Sequence, residues 1–135
     1  MPANKKKRTK QFDQQPQTSS NIKKGKIVER ITAAFHDNPD VTIRLNAFLP
    51  VVGGGRRRRE IDVLVVGQLA GYTMRIAFEC KNERSAVGVQ KLDEFIGKLK
   101  DVGIPPQNGV YVSASGYTAG AIERAQKEGV RALKL

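Results

Sequence analysis

The stretch Arg75-Ile76-Ala77-Phe78-Glu79-Cys80-Lys81 decides how the chain reads. Side chains alternate across a strand, so Ile76, Phe78 and Cys80 share one face while Ala77, Glu79 and Lys81 share the other. The first set is an apolar face fit for burial. The second leaves two opposite charges together at the end of a strand that belongs near the centre of a sheet. A Glu-x-Lys triplet alone reads as an ion pair on an edge strand, and its neighbours change that reading.

Upstream, Ile61 to Val66 forms another strand, and the short Gly67 to Tyr72 link joins it to Thr73–Cys80 as an antiparallel hairpin. A turn centred on Ala70-Gly71 puts Asp62 opposite Glu79. Directly opposed residues lie about 4.5–5.5 Å apart, and like charges there are destabilising. Two carboxylates so placed need a cation. Mg²⁺ suits them, since it takes few protein carboxylates together with waters and phosphate oxygens. Such a site activates water and polarises a phosphate. Lys81 is placed to hold that water and to neutralise charge developing on the phosphorus centre. Asp62, Glu79 and Lys81 are thus the candidate catalytic set, with the two carboxylates as metal ligands.

The rest of the chain supplies layers around this hairpin. A helical period runs from about Ile22 to His36, with Ile27, Ile31, Ala34 and Phe35 as its apolar stripe, and Asn38-Pro39-Asp40 ends it. Val41 to Leu49 alternates as a strand. A helix from about Val87 to Val102 buries Leu92, Phe95, Ile96, Leu99 and Val102. A strand at 108–112, a helix at 118–127 and a last strand at 130–133 follow. The order α-β-β-β-α-β-α-β predicts an α/β fold, a mixed β-sheet flanked by helices on both faces.

Charge divides the chain in two. The 135 residues carry a net +11, and most of it lies in the first 26 residues, where Lys5, Lys6, Lys7, Arg8, Lys10, Lys23, Lys24 and Lys26 stand against Asp13 alone. Residues 1–20 hold almost no apolar side chains and read as a disordered basic arm, with 21–135 as one folded domain. The arm is a tether to nucleic-acid phosphate, a solubilising tail or a localisation signal. A second basic feature, Gly53-Gly54-Gly55-Arg56-Arg57-Arg58-Arg59, reads as a flexible loop just before Asp62. It either grips phosphate or is a solvated loop whose charges protect a sheet edge.

Other chemistries find little support. With one cysteine, Cys80, there is no internal disulfide and no multi-cysteine zinc site, and His36 is the sole histidine. The glycine run lacks the Lys-Ser/Thr ending of a P-loop. Tyr111 and Tyr117 are expected to pack rather than stack on bases. No apolar run approaches the roughly 18 residues of a membrane span, and no apolar segment follows the basic N-terminus, so a soluble, cytoplasmic protein is expected.

At these residues the chain resembles the PD-(D/E)XK nuclease superfamily, and most its Mrr-like restriction endonuclease branch. The resemblance rests on Gly25-Lys26-Ile27-Val28-Glu29, Glu60-Ile61-Asp62-Val63, Phe78-Glu79-Cys80-Lys81-Asn82, Val87-Gly88-Val89-Gln90, and the run Val110 to Thr118 with Ala121-Ile122. It implies a restriction-endonuclease-like sandwich and Mg²⁺-dependent hydrolysis of DNA phosphodiesters, with Mn²⁺ able to replace Mg²⁺. It also implies Glu29 as a third metal ligand and Gln90 as an accessory residue. Ile61 stands where the signature proline would be. No appended DNA-recognition domain is evident, so Arg56, Arg57, Arg58 and Arg59, with Lys5, Lys6, Lys7 and Arg8, are expected to make the DNA contacts. The substrate is duplex or branched DNA, and a homodimer is among the expectations. The alternatives are a non-catalytic DNA-binding module on a nuclease scaffold, or an RNA-binding protein.

Overall fold

The computed structural model describes the backbone of residues 19–135 and the side chains of residues 25–135. Helix α1 (Ser19–Phe35) leads into strands β1 (Val41–Pro50), β2 (Arg58–Leu69) and β3 (Tyr72–Lys81). Helix α2 (Val89–Asp101), a 3-10 turn at Pro106–Asn108, strand β4 (Gly109–Ser113), helix α3 (Ala119–Glu128) and strand β5 (Arg131–Lys134) complete it. The element order is the expected one. Helix α1 starts two residues inside the expected arm, and β2 begins at Arg58, so Arg58 and Arg59 are strand residues rather than loop.

The five strands lie side by side in chain order, with β1, β2 and β3 antiparallel and β3, β4 and β5 parallel. The β2–β3 hairpin turns at Ala70 and Gly71, both at positive φ (50° and 82°). That geometry matches the twist of the flanking strands. Its register runs from Leu69↔Tyr72 to Val63↔Phe78, so the next couple along it is Asp62 and Glu79.

Alternation sorts the core into two layers. Val63, Val65, Phe78, Cys80, Val110 and Val112 face Ile27, Val28 and Ile31 of α1. Leu64, Ala77 and Tyr111 face Leu92, Phe95, Ile96 and Leu99 of α2 and Ala121 and Ala125 of α3. In α1, Val28 joins the buried stripe and Ala34 stays exposed, which turns the stripe slightly from the expected one. Each such fully buried aliphatic or aromatic side chain contributes about 1.5–3 kcal/mol.

The seat of α2 is set by small residues. Gly109 pairs with Ala77 across β3 and β4. A Cβ on Gly109 would stand 2.4 Å from Leu99 Cδ1 and 3.2 Å from Phe95 Cε2. The helix therefore lies close on the sheet at this point, one alternation before Glu79 and Tyr111. Gly103 at φ 74° ends the helix, and Ile104 N–H donates back to the Leu99 carbonyl at 2.9 Å.

Candidate active site

Asp62 and Glu79 are both withdrawn from solvent, 7% and 9% exposed. Asp62 sits where the sheet's own pairing lapses. On the β1 side the couples Leu45↔Val63 and Ala47↔Ile61 skip Asn46, whose φ is +49°. On the β3 side the pairing stops at Val63↔Phe78, and the Asp62 carboxylate accepts the Cys80 backbone N–H at 2.9 Å instead. A side chain thus takes over a ladder bond, which holds this carboxylate at the end of β3.

Glu79 shares its face with Ala77, Lys81 and, across the parallel pair, Tyr111. Lys98 of α2 donates to both Glu79 oxygens, 3.1 Å to Oε1 and 3.4 Å to Oε2. Burial pushes the Glu79 carboxyl above the ordinary glutamate range, and the Asp62 charge pushes the same way. Lys98 and Lys81 pull it back. Tyr111 is 1% exposed, and its hydroxyl has no hydrogen-bond partner among the described residues. Burial, and after it the Glu79 charge, raises that phenol well above the ordinary tyrosine range.

The loops beyond β3 and β4 are tied together beside this site. Ser113 Oγ accepts Ser115 N–H at 3.1 Å, and Ser115 Oγ donates to the Ser85 carbonyl at 2.7 Å. Val87 bridges Tyr117, and the Tyr117 hydroxyl lies 2.7 Å from the Leu133 carbonyl and 2.9 Å from that of Tyr111. Tyr111 and Tyr117 both serve packing, as their positions suggest. The carboxyl ends of parallel strands are where open α/β sheets gather ligands.

Of the candidate residues, Asp62, Glu79 and Lys81 come together where the β2–β3 pairing ends. Glu29 does not join them: it is exposed on α1, the helix that covers the opposite layer, and no three His, Cys, Asp or Glu side chains gather among the described residues. Gln90 is exposed in the first turn of α2. The donor set fits a hard divalent cation all the same. The Asp62 charge makes Glu79 costlier to ionise, a divalent ion offsets that cost, and Mg²⁺ completes its shell with water and phosphate oxygens.

The glycine–arginine segment is a hydrogen-bonded turn rather than a flexible loop. Gly54 N–H donates to the Val51 carbonyl, Arg57 N–H to Gly54, Val51 N–H to Arg57 and Val52 N–H to Asp101. Gly53 and Gly55 take φ of 70° and 64°, and a Cβ on Gly54 would stand 2.6 Å from Val51 Cγ1. Arg59 is half-buried in an ion pair with Asp101 of α2, so it is held as a structural brace. Arg56, Arg57 and Arg58 are exposed. Lys5, Lys6, Lys7 and Arg8 lie outside the described residues.

Lys98 escaped the sequence reading. It flanks the apolar stripe of α2, and only the seating of that helix over Ala77 and Gly109 brings it to Glu79.

Residues 49–135 match the restriction endonuclease family Mrr_cat. The chain belongs to this Mrr-type family. The match takes in Asp62, Glu79, Lys81, Lys98 and the arginine turn, and it leaves Glu29 outside. The fold has a relative among solved structures, a protein of unknown function designated AF1548, with a TM-score of 0.59 and 16% identity. The alignment covers 76% of this chain and 53% of that one, so the Mrr-type chain spans about half the length of its structural relative. No curated protein matches it in sequence. Among the described residues no helix is long and apolar enough to cross a membrane.

Proposed function

We propose that this Mrr-type domain is a Mg²⁺-dependent DNA endonuclease that hydrolyses phosphodiester bonds. The observation that carries the reading is the pair of buried carboxylates, Asp62 and Glu79, where the β2–β3 pairing ends, with Lys81 on the Glu79 face. Asp62 and Glu79 hold the metal, with Mn²⁺ as a substitute. When bound, the divalent ion supplies a more acidic water and a polarised phosphate oxygen. Lys81 orients the attacking water and offsets charge on the phosphate as it is attacked. Arg56, Arg57 and Arg58, four to six residues before Asp62, bind flanking phosphates of the DNA.

The test is cleavage of supercoiled plasmid and of a branched DNA, in Mg²⁺ and in EDTA, by the wild type, Asp62→Asn and Lys81→Ala. Metal-dependent cleavage by the wild type alone is the expected outcome. Equal cleavage by all three proteins refutes it.

One observation favours a second reading, a non-catalytic DNA-binding module. The Lys98 ammonium already neutralises Glu79, so a cation is present without any metal. Salt-dependent DNA binding without cleavage of any substrate supports that reading.

A further inference from the structure

The contact between Lys98 and Glu79 has a consequence for cation binding that rests on the reading of Asp62 and Glu79 as metal ligands. Lys98 Nζ spans both oxygens of the Glu79 carboxylate, and the two side chains keep 18% and 12% of their accessible surface. This is a desolvated, charge-assisted pair rather than a surface one. A hard divalent ion binds a carboxylate oxygen at about 2.0–2.1 Å for Mg²⁺. With the ammonium 3.1 Å from the same oxygen, two cations would share one carboxylate in a medium that screens poorly. They compete for it.

We propose that Lys98 is a resident counter-cation of Glu79, which a divalent ion must displace, so that α2 sets the cation affinity of the site. The helix is built to stay while the lysine leaves. Leu92, Phe95 and Leu99 are fully buried beneath it, and Gly109 admits it close to β4. One turn on, Asp101 fixes the same helix through Arg59 and through its carbonyl, which accepts Val52 N–H at 2.8 Å. Only the flexible lysine stem needs to swing. In the absence of metal the pair also spares the fold an unneutralised buried carboxylate beside Asp62, which lets the site exist empty and folded.

The experiment measures Mn²⁺ binding to the full chain without DNA, by calorimetry and by the electron paramagnetic resonance signal of free Mn²⁺. Lys98→Met keeps the length of the stem and removes the charge. Lys100→Met, on the same helix and exposed, removes the same net charge elsewhere. The expected result is roughly tenfold to a hundredfold tighter binding by Lys98→Met, with Lys100→Met within about twofold of the wild type. Unchanged or weaker binding by Lys98→Met overturns the proposal while leaving the metal reading intact. No Mn²⁺ binding by either the wild type or Lys98→Met overturns both. Should Lys98→Met not fold, the wild type answers alone: saturating Mg²⁺, which is diamagnetic, must move the ¹³Cε signal of Lys98 to the position of solvated lysines. A signal that stays in place while Mg²⁺ binds overturns the displacement.

Discussion

The Asp62 carboxylate accepts the Cys80 backbone N–H at 2.9 Å, so a side chain completes the hydrogen bonding of the strand that carries Glu79 and Lys81. The same residue that is proposed to hold the cation also holds the strand. Asp62→Ala and Asp62→Asn therefore separate. Alanine leaves the buried Cys80 N–H without its acceptor and is expected to cost about 1–3 kcal/mol in urea denaturation. Asparagine can still accept that N–H, and is expected to stay within about 1 kcal/mol of the wild type. Both should lose cleavage. Equal stability of the two variants would show that the Asp62–Cys80 bond contributes nothing.

Glu79 gives a pH dependence with a definite sign. Its carboxyl is raised by burial and by Asp62, so in the window between the ordinary and raised values the folded state keeps a proton that the unfolded state has lost. Stability from this group is complete below the ordinary value and declines as pH rises through the raised one. Glu79→Gln does not titrate. In EDTA, the stability of the wild type relative to Glu79→Gln is expected to fall with rising pH. Denaturant curves at a series of pH values measure it, and a pH-independent difference would refute the raised carboxyl.

The packing beneath α2 is tested at Gly109. A methyl group there meets Leu99 and Phe95 inside van der Waals distance, and both are fully buried. Overpacking of this kind costs about 1–3 kcal/mol. Gly109→Ala should lower the unfolding free energy measured in urea by that amount and, by lifting α2, loosen the Lys98–Glu79 pair. A midpoint within error of the wild type would show that the helix yields freely.

Tyr111 tests an opposite expectation. Its buried hydroxyl lacks a partner among the described residues, so Tyr111→Phe removes a desolvated dipole and keeps the ring packed edge-on against Phe95 and Tyr117. The variant is expected to gain about 1 kcal/mol at an unchanged denaturant slope. A loss of that size would mean the hydroxyl is satisfied, by water or by a ligand atom.

What the chain revealed beforehand was local in sequence. The alternation of Ile76, Phe78 and Cys80 against Ala77 and Glu79, and the Ala70-Gly71 turn, need only neighbouring residues and fix which side chains share a face. Lys98, Asp101 and Tyr111 reach their partners across helix–sheet or parallel-strand contacts between distant segments. Nothing in their own surroundings marks them. Arg59 is instructive: four consecutive arginines look equivalent, yet the strand starting at Arg58 turns Arg59 toward α2 and leaves its neighbours in solvent. Glu29 carried only a resemblance, and the helix that bears it packs on the other layer.

That difference within the arginine run leads to the last prediction. Each phosphate contact made by a cation contributes about 0.9 to the slope of log K against log salt on duplex DNA. If Arg56, Arg57 and Arg58 all contact phosphate, replacing the three with alanine should lower that slope by about 2–3 and weaken binding of any DNA sequence alike. Arg59→Ala should leave the slope unchanged, short of the roughly 0.9 that one lost contact would remove, because its guanidinium is spent on Asp101. Its cost belongs to the fold, and for so exposed a pair it should not exceed about 1 kcal/mol. Fluorescence anisotropy of a labelled duplex over a salt series, beside urea denaturation of the same proteins, measures both quantities. A slope that falls by about 0.9 for Arg59→Ala would mean that the Arg59–Asp101 pair opens to bind DNA. A slope unchanged in the triple variant would remove the turn from the DNA interface.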